Sequence, residues 1–141
     1  MQFKIEYFRP TRVLTQNDIY SLVSADADKS FYLDAEKLIS EEQVIIALEE
    51  SYRLINREIR VREPGTLFMM LLSGKRQIKQ ALASVGVTPD TTHILRVSVD
   101  GSEGSNSGIL EIENFKLSRT ASERDREVFY NLSAGEFFAF Q

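Results

Sequence analysis

The stretch 66-TLFMMLLSGKRQIKQAL-82 organises the reading of this 141-residue chain. Leu67 to Leu72 are six consecutive apolar residues that run directly into Ser73-Gly74. Thr66 can cap a short helix through Leu72, hydrophobic on all sides and therefore destined for a core. Ser73-Gly74 interrupts it. A second helix is predicted from Lys75 to Val85, with Ile78, Ala81, Leu82 and Val85 inward and Gly86 as its stop. Lys75, Arg76 and Lys79 then crowd the start of that second helix. A helix start already presents unpaired N–H groups and the positive end of the dipole. Cations there work against the helix and in favour of an anionic ligand, and such a local conflict points to function.

Working outward, Ser40-Glu-Glu-Gln43 is a capping box, in which the serine oxygen takes an orphan N–H and the glutamine reaches back. Val44, Ala47, Leu48, Ser51 and Ile55 follow on one face, which predicts a helix to about Arg57. Pro64-Gly65 breaks the chain. Residues 3–8, FKIEYF, alternate and read as a strand. Thr15-Gln-Asn-Asp18 starts a short helix with Thr15 as N-cap and an acidic first turn. Phe31-Tyr-Leu is a second strand ending at Asp34, and Thr92 to Val99 a third. Residues 100–108 are a Gly/Ser/acidic loop. Residues 109–117 alternate and read as a fourth strand. Thr120-Ala-Ser-Glu123 caps a terminal helix carrying Val128, Phe129 and Leu132. Strands interspersed with helices predict an α+β fold: a single domain over 1–141, with a small, about four-stranded, mixed or antiparallel sheet packed with several helices.

Composition bounds the function. The chain is 43% hydrophobic and 27% charged, which is ordinary for a folded domain. It has no cysteine, which removes disulfides and thiolate metal sites. The opening MQFKIEYFRP lacks a signal-peptide core, and no apolar run approaches the roughly 20 residues of a membrane span. A cytoplasmic protein is expected. The net charge of −4 is unevenly spread. Residues 51–80 hold seven cations (Arg53, Arg57, Arg60, Arg62, Lys75, Arg76, Lys79) against Glu58 and Glu63, so this segment is +5 and the remainder −9. One local face is suited to an anion; the chain as a whole is not a polycation. The alternative reading of such a cluster is a solvated helix face.

No enzyme signature is present. Gly74-Lys75 lacks the upstream glycine and following Ser/Thr of a phosphate-binding P-loop, since position 69 is Met and position 76 is Arg. His93 is the only histidine and has no second soft ligand at metal-site spacing. No metal and no cofactor is expected, and no catalytic residue is assigned.

Leu71-Leu-Ser-Gly-Lys-Arg-Gln-Ile-Lys-Gln-Ala-Leu82 resembles the SG-x-RQI-x-x-A signature of the TPRKB-like, kinase-binding subunit of the KEOPS complex. The Asp34-Ala35 pair, the Val44-Ile-Ile-Ala-Leu48 helix, Gly86-Val87 and the late Glu127-Val-Phe-Tyr-Asn-Leu-Ser133 follow in the family's order. The resemblance is strongest from 34 to 99. Two departures stand out. Gln43 replaces a histidine common in the family, and the family's long apolar C-terminal helix is not among these residues. Phe137, Phe138 and Phe140 are expected to supply part of that buried area.

The resemblance implies a non-catalytic subunit. It would dock on the kinase-like ATPase of KEOPS, the complex that installs threonylcarbamoyl on the adenosine beside the anticodon. It would also hold the single-stranded 3′ CCA end of tRNA. The expected tRNA contacts are Lys75, Arg76 and Lys79 with Ser73 and Gly74, extended by Arg53 and Arg57. A single-stranded end is gripped by charge and by stacking on planar groups, and an arginine supplies both. Ile78, Leu82, Val85, Phe137 and Phe138 are the expected kinase contacts. The alternative is a protein–protein adaptor without nucleic-acid binding. A third reading is a small enzyme built on Asp34 and the 100–108 loop.

Overall fold

A computed structural model describes residues 2–25, 29–55, 64–75, 77–102 and 108–117. The strands are β1 (Phe3–Pro10), β2 (Ser30–Asp34), β3 (Ile94–Val99) and β4 (Leu110–Ile112). They form one four-stranded sheet in the order β2-β3-β1-β4. Every neighbouring pair is antiparallel. The helices are α1 (Gln16–Ser24), α2 (Glu41–Ile55), α3 (Pro64–Ser73) and α4 (Ile78–Val85). The α+β class expected from the sequence is the observed one. The predicted terminal helix from Thr120 lies outside the described residues. Two compact units divide the chain: Met1–Glu36 with Gly86–Lys116, and Lys37–Val85 with Leu117–Gln141.

The first unit is the sheet with α1. Register places Tyr32, Arg96 and Glu6 in one row across three strands, and Leu33, Leu95 and Tyr7 in the next. Successive residues point to opposite faces, so the two rows face opposite ways. Phe8, Leu14, Leu22, Tyr32, Ile94 and Leu110 form one buried cluster, to which α1 contributes Leu22. On the other face Tyr7, Leu33 and Leu95 are buried as well. β3 is buried along its whole length, including the charged Arg96.

Two strands are shorter than their patterns predict, for the same reason. Thr92 was expected in β3, but its hydroxyl donates to Glu36 Oε1 (2.9 Å), and Thr91 donates to Asp34 Oδ2 (3.0 Å). These side-chain bonds hold the approach to β3 against the turn that follows β2. The Glu113 N–H still donates to the Tyr7 carbonyl (3.3 Å), and the chain leaves the ladder after it. Glu113 bonds His93 Nδ1 at 2.6 Å, and the Phe115 ring stacks on the His93 ring with centroids 4.3 Å apart.

α1 starts where the sequence indicated. Thr15 Oγ1 accepts the Asp18 N–H (3.1 Å), and the Asp18 carboxylate accepts the Thr15 N–H (2.8 Å), a complete capping box. Arg12 adds a hydrogen bond from Nη2 to Asp18 Oδ1 (2.9 Å). The Arg12 hydrogen bond, followed by that of the Thr15 amide, holds the Asp18 carboxyl well below the usual carboxylate range. A carboxyl with a lowered folded pKa stabilises the fold above its unfolded pKa of about 4, and the contribution is lost as pH falls further, through the folded pKa. Asp18→Asn is therefore expected to flatten the fall of the urea midpoint below about pH 4. Identical midpoint-against-pH curves for the two proteins would contradict this.

The second unit is helical. α2 packs on α3, and α3 on α4. The Ser40 hydroxyl accepts the Gln43 N–H (3.2 Å), as the capping box requires. Val44, Ala47, Leu48 and Ser51 are buried as predicted, and Leu54 joins them. The predicted end near Arg57 lies outside the described residues. α3 begins at Pro64, earlier than the expected cap at Thr66. Proline fits the first turn because its missing N–H would have had no helical partner there. Leu67 to Leu72 are all buried, each at most 7% exposed.

Candidate functional site

The basic link is built from the end of α3. Gly74 has φ +70°, a left-handed conformation that closes the helix, and its N–H donates to the Met70 carbonyl at 2.9 Å. Ser73 Oγ donates to the Met70 carbonyl (3.3 Å) and accepts the Lys75 N–H (3.2 Å). α4 then starts at Ile78, with the Gln77 carbonyl accepting the Ala81 N–H at 3.0 Å.

This corrects the expected helix from Lys75. Lys75 is not at a helix start, and its amide is satisfied by Ser73. It lies just beyond the C-terminus of α3, where the dipole favours a cation. Among the described residues, the predicted conflict between charge and helix therefore holds for Lys79 alone, in the first turn of α4. Gly74, Lys75 and Lys79 are exposed and Ser73 is half-buried. Arg76 lies outside the described residues.

The inward face of α4 is narrower than predicted. Ala81 and Val85 are buried, whereas Ile78 and Leu82 are 37% and 45% exposed. Ile78 and Leu82 are one turn apart and form an outward apolar pair. Val85, expected at a partner surface, is 4% exposed and belongs to the interior. Its position on α4 beside Ala81 puts it on the arc that the helix buries.

Arg53, expected to extend the basic track, makes a two-pronged ion pair with Glu50: Nε to Oε1 at 3.0 Å and Nη2 to Oε2 at 2.6 Å. Its charge is matched on its own helix. Arg57, Phe137 and Phe138 lie outside the described residues, as do Arg60, Phe140 and the 127–133 segment.

Sequence reasoning missed one cation. Lys37 Nζ donates to the Ala83 carbonyl at 3.5 Å. Ala83 is one turn beyond Lys79 in sequence, so the Lys37 ammonium reaches the backbone of α4. Nothing local signals this, because Lys37 precedes Ala83 by 46 positions.

Asp34, the centre of the enzyme reading, is 6% exposed. One oxygen accepts the Glu36 N–H (3.1 Å) and the other the Thr91 hydroxyl (3.0 Å). The carboxylate ties the turn after β2 to the approach to β3. His93 sits between Glu113 and Glu36, with Nε2 3.5 Å from Glu36 Oε1. Among the described residues no group of three or more His, Cys, Asp or Glu could hold a metal. Among them too, no helix is long and apolar enough to cross a membrane.

An exposed basic turn seated on a helix buried from Leu67 to Leu72, in a small α+β chain, has the make-up of a binding surface. The family model of the kinase binding protein CGI-121 matches residues 12–121, and the chain belongs to that family. No curated protein matches it. The matched residues include both the Ser73–Lys79 link and the Asp34 turn.

Proposed function

We propose that this chain is a non-catalytic, cytoplasmic subunit of a KEOPS-type tRNA threonylcarbamoyladenosine-modification complex. It docks on the complex's kinase-like ATPase and holds the 3′ CCA end of tRNA. Family membership supports the kinase partner. The family match runs through both units, which supports treating 1–141 as one family domain.

The observation that carries the nucleic-acid half is the link between α3 and α4. Lys75 is exposed on the turn that closes the apolar helix α3, and Lys79 is exposed in the first turn of α4. Arg76 falls between them in sequence. Phosphates need fixed cations, and a splayed base needs an apolar or planar surface beside them. Ile78 and Leu82 offer that apolar surface next to Lys79, or an anchor for the kinase.

The test is fluorescence anisotropy with intact tRNA and with the same tRNA lacking its 3′ CCA, at low and moderate salt. Removal of the tail is expected to weaken binding. Changing Lys75, Arg76 and Lys79 together to alanine is expected to reduce the slope of log affinity against log salt by about 2. Equal binding of both tRNAs would assign the contact to the duplex backbone and remove the CCA assignment. No binding to either tRNA, with binding to the kinase retained, would favour the adaptor without a nucleic-acid role. The −9 balance outside residues 51–80 is the observation on that side.

A further inference from the structure

We propose that Gln43 is the positioning residue of the Ser73–Lys75 turn. The functional consequence, though not the structural assignment, rests on the nucleic-acid reading above. Gln43 is 6% exposed. Its Oε1 accepts the Ile39 N–H at 2.7 Å, one residue before the cap, so the return arm of the capping box reaches past Ser40. Its Nε2 donates to the Leu72 carbonyl at 3.3 Å, 29 positions away.

Leu72 O is among the last four carbonyls of α3, which have no partner within their own helix. The primary amide thus has a donor and an acceptor at one end of a side chain, and it uses one for each helix. The end of α3 is secured twice: from within by Gly74 on Met70, and from α2 by Gln43 on Leu72. The second tie sets where the turn stands relative to the rest of the helical unit. Binding groups held to within about half an ångström depend on such supporting bonds.

Gln43→Glu separates the two roles. The carboxylate still accepts from Ile39, but it has no proton for Leu72 and faces that carbonyl with like charge. Val44→Ala is the control, because it removes buried volume from α2 and touches no bond of the turn. Both variants are compared fully folded, at low temperature and well below the urea transition.

Hydrogen exchange at Gly74 and Lys75 is expected to quicken in Gln43→Glu and to stay at the wild-type rate in Val44→Ala. Affinity for intact tRNA is expected to fall about five-fold in Gln43→Glu, the worth of one hydrogen bond, and to hold in Val44→Ala. Unchanged exchange at Gly74 and Lys75 in Gln43→Glu, or an equal change in Val44→Ala, would overturn the assignment. If wild-type protein binds no tRNA while Gln43→Glu still loosens the turn, the positioning role stands and the nucleic-acid reading falls.

Discussion

Phe8→Ala is expected to lower the free energy of unfolding by about 3–5 kcal/mol. Phe8 is 2% exposed and lies in the buried cluster with Leu14, Leu22, Tyr32, Ile94 and Leu110. It pairs across the sheet with Ile94 on β3 and Ile112 on β4, so it is part of the join between three strands. Truncation leaves a cavity that a sheet fixed on both sides cannot readily collapse. A second loss accompanies the first. The Arg96 guanidinium carbon sits 4.5 Å from the centre of the Phe8 ring, and the ring face stabilises that cation in place of water. Urea unfolding followed by circular dichroism would measure the change. A loss below about 1 kcal/mol would show that the cluster repacks and that this account of the core is wrong.

Glu6→Ala is expected to cost about 2 kcal/mol and Arg96→Met less, because the carboxylate left behind is within reach of water. Arg96 has a side chain only 7% exposed, and Nη2 donates to Glu6 Oε1 at 2.7 Å. The Tyr32 hydroxyl lies 3.5 Å from Nη1, a weak second contact. The Arg96 Nε is buried without a hydrogen-bond partner. Burial opposes the charge on Arg96, but the hydrogen bonds to Glu6 and Tyr32 outweigh it, and the net shift of its pKa is upward. The arginine therefore stays charged, and removing Glu6 strands that charge in the interior. Removing the arginine instead releases a desolvated cation and an unpartnered N–H, and methionine fills similar volume on the Phe8 ring. Glu6 is 23% exposed, which keeps its loss below the 3–5 kcal/mol typical of a fully buried pair. A double-mutant cycle measures the coupling. If Arg96→Met costs as much as Glu6→Ala, the pair is a net source of stability and the asymmetry argued here fails.

The parts of this fold that were legible in the sequence are those decided by neighbours along the chain. Thr15 with Asp18 and Ser40 with Gln43 mark helix starts because a cap is a bond over three residues. The alternation in 3–8 marks a strand because the pleat has a period of two. Leu67 to Leu72 read as buried because no face of that helix offers a polar surface to water. The SG-x-RQI-x-x-A resemblance likewise needs only the order of residues, and the family match follows it.

What the sequence could not decide depended on groups far apart in the chain. The start of α4 moved to Ile78 because Gly74 turns left-handed and Ser73 takes the Lys75 amide. Lys75 thereby passed from a helix start to a helix end, where the dipole favours its charge instead of opposing it. Lys37 reached the α4 surface, and Gln43 reached Leu72, through bonds with no local signal. Arg96 reads as an ordinary polar position in a strand, and only the register opposite Glu6, 90 positions away, makes it a buried cation. Local chemistry along the chain determined which segments are helix or strand and which family they spell. Tertiary structure alone decided which charges are matched, buried or left to face a ligand, because a charge is defined by the dielectric and partners around it, and folding brings those together from distant positions.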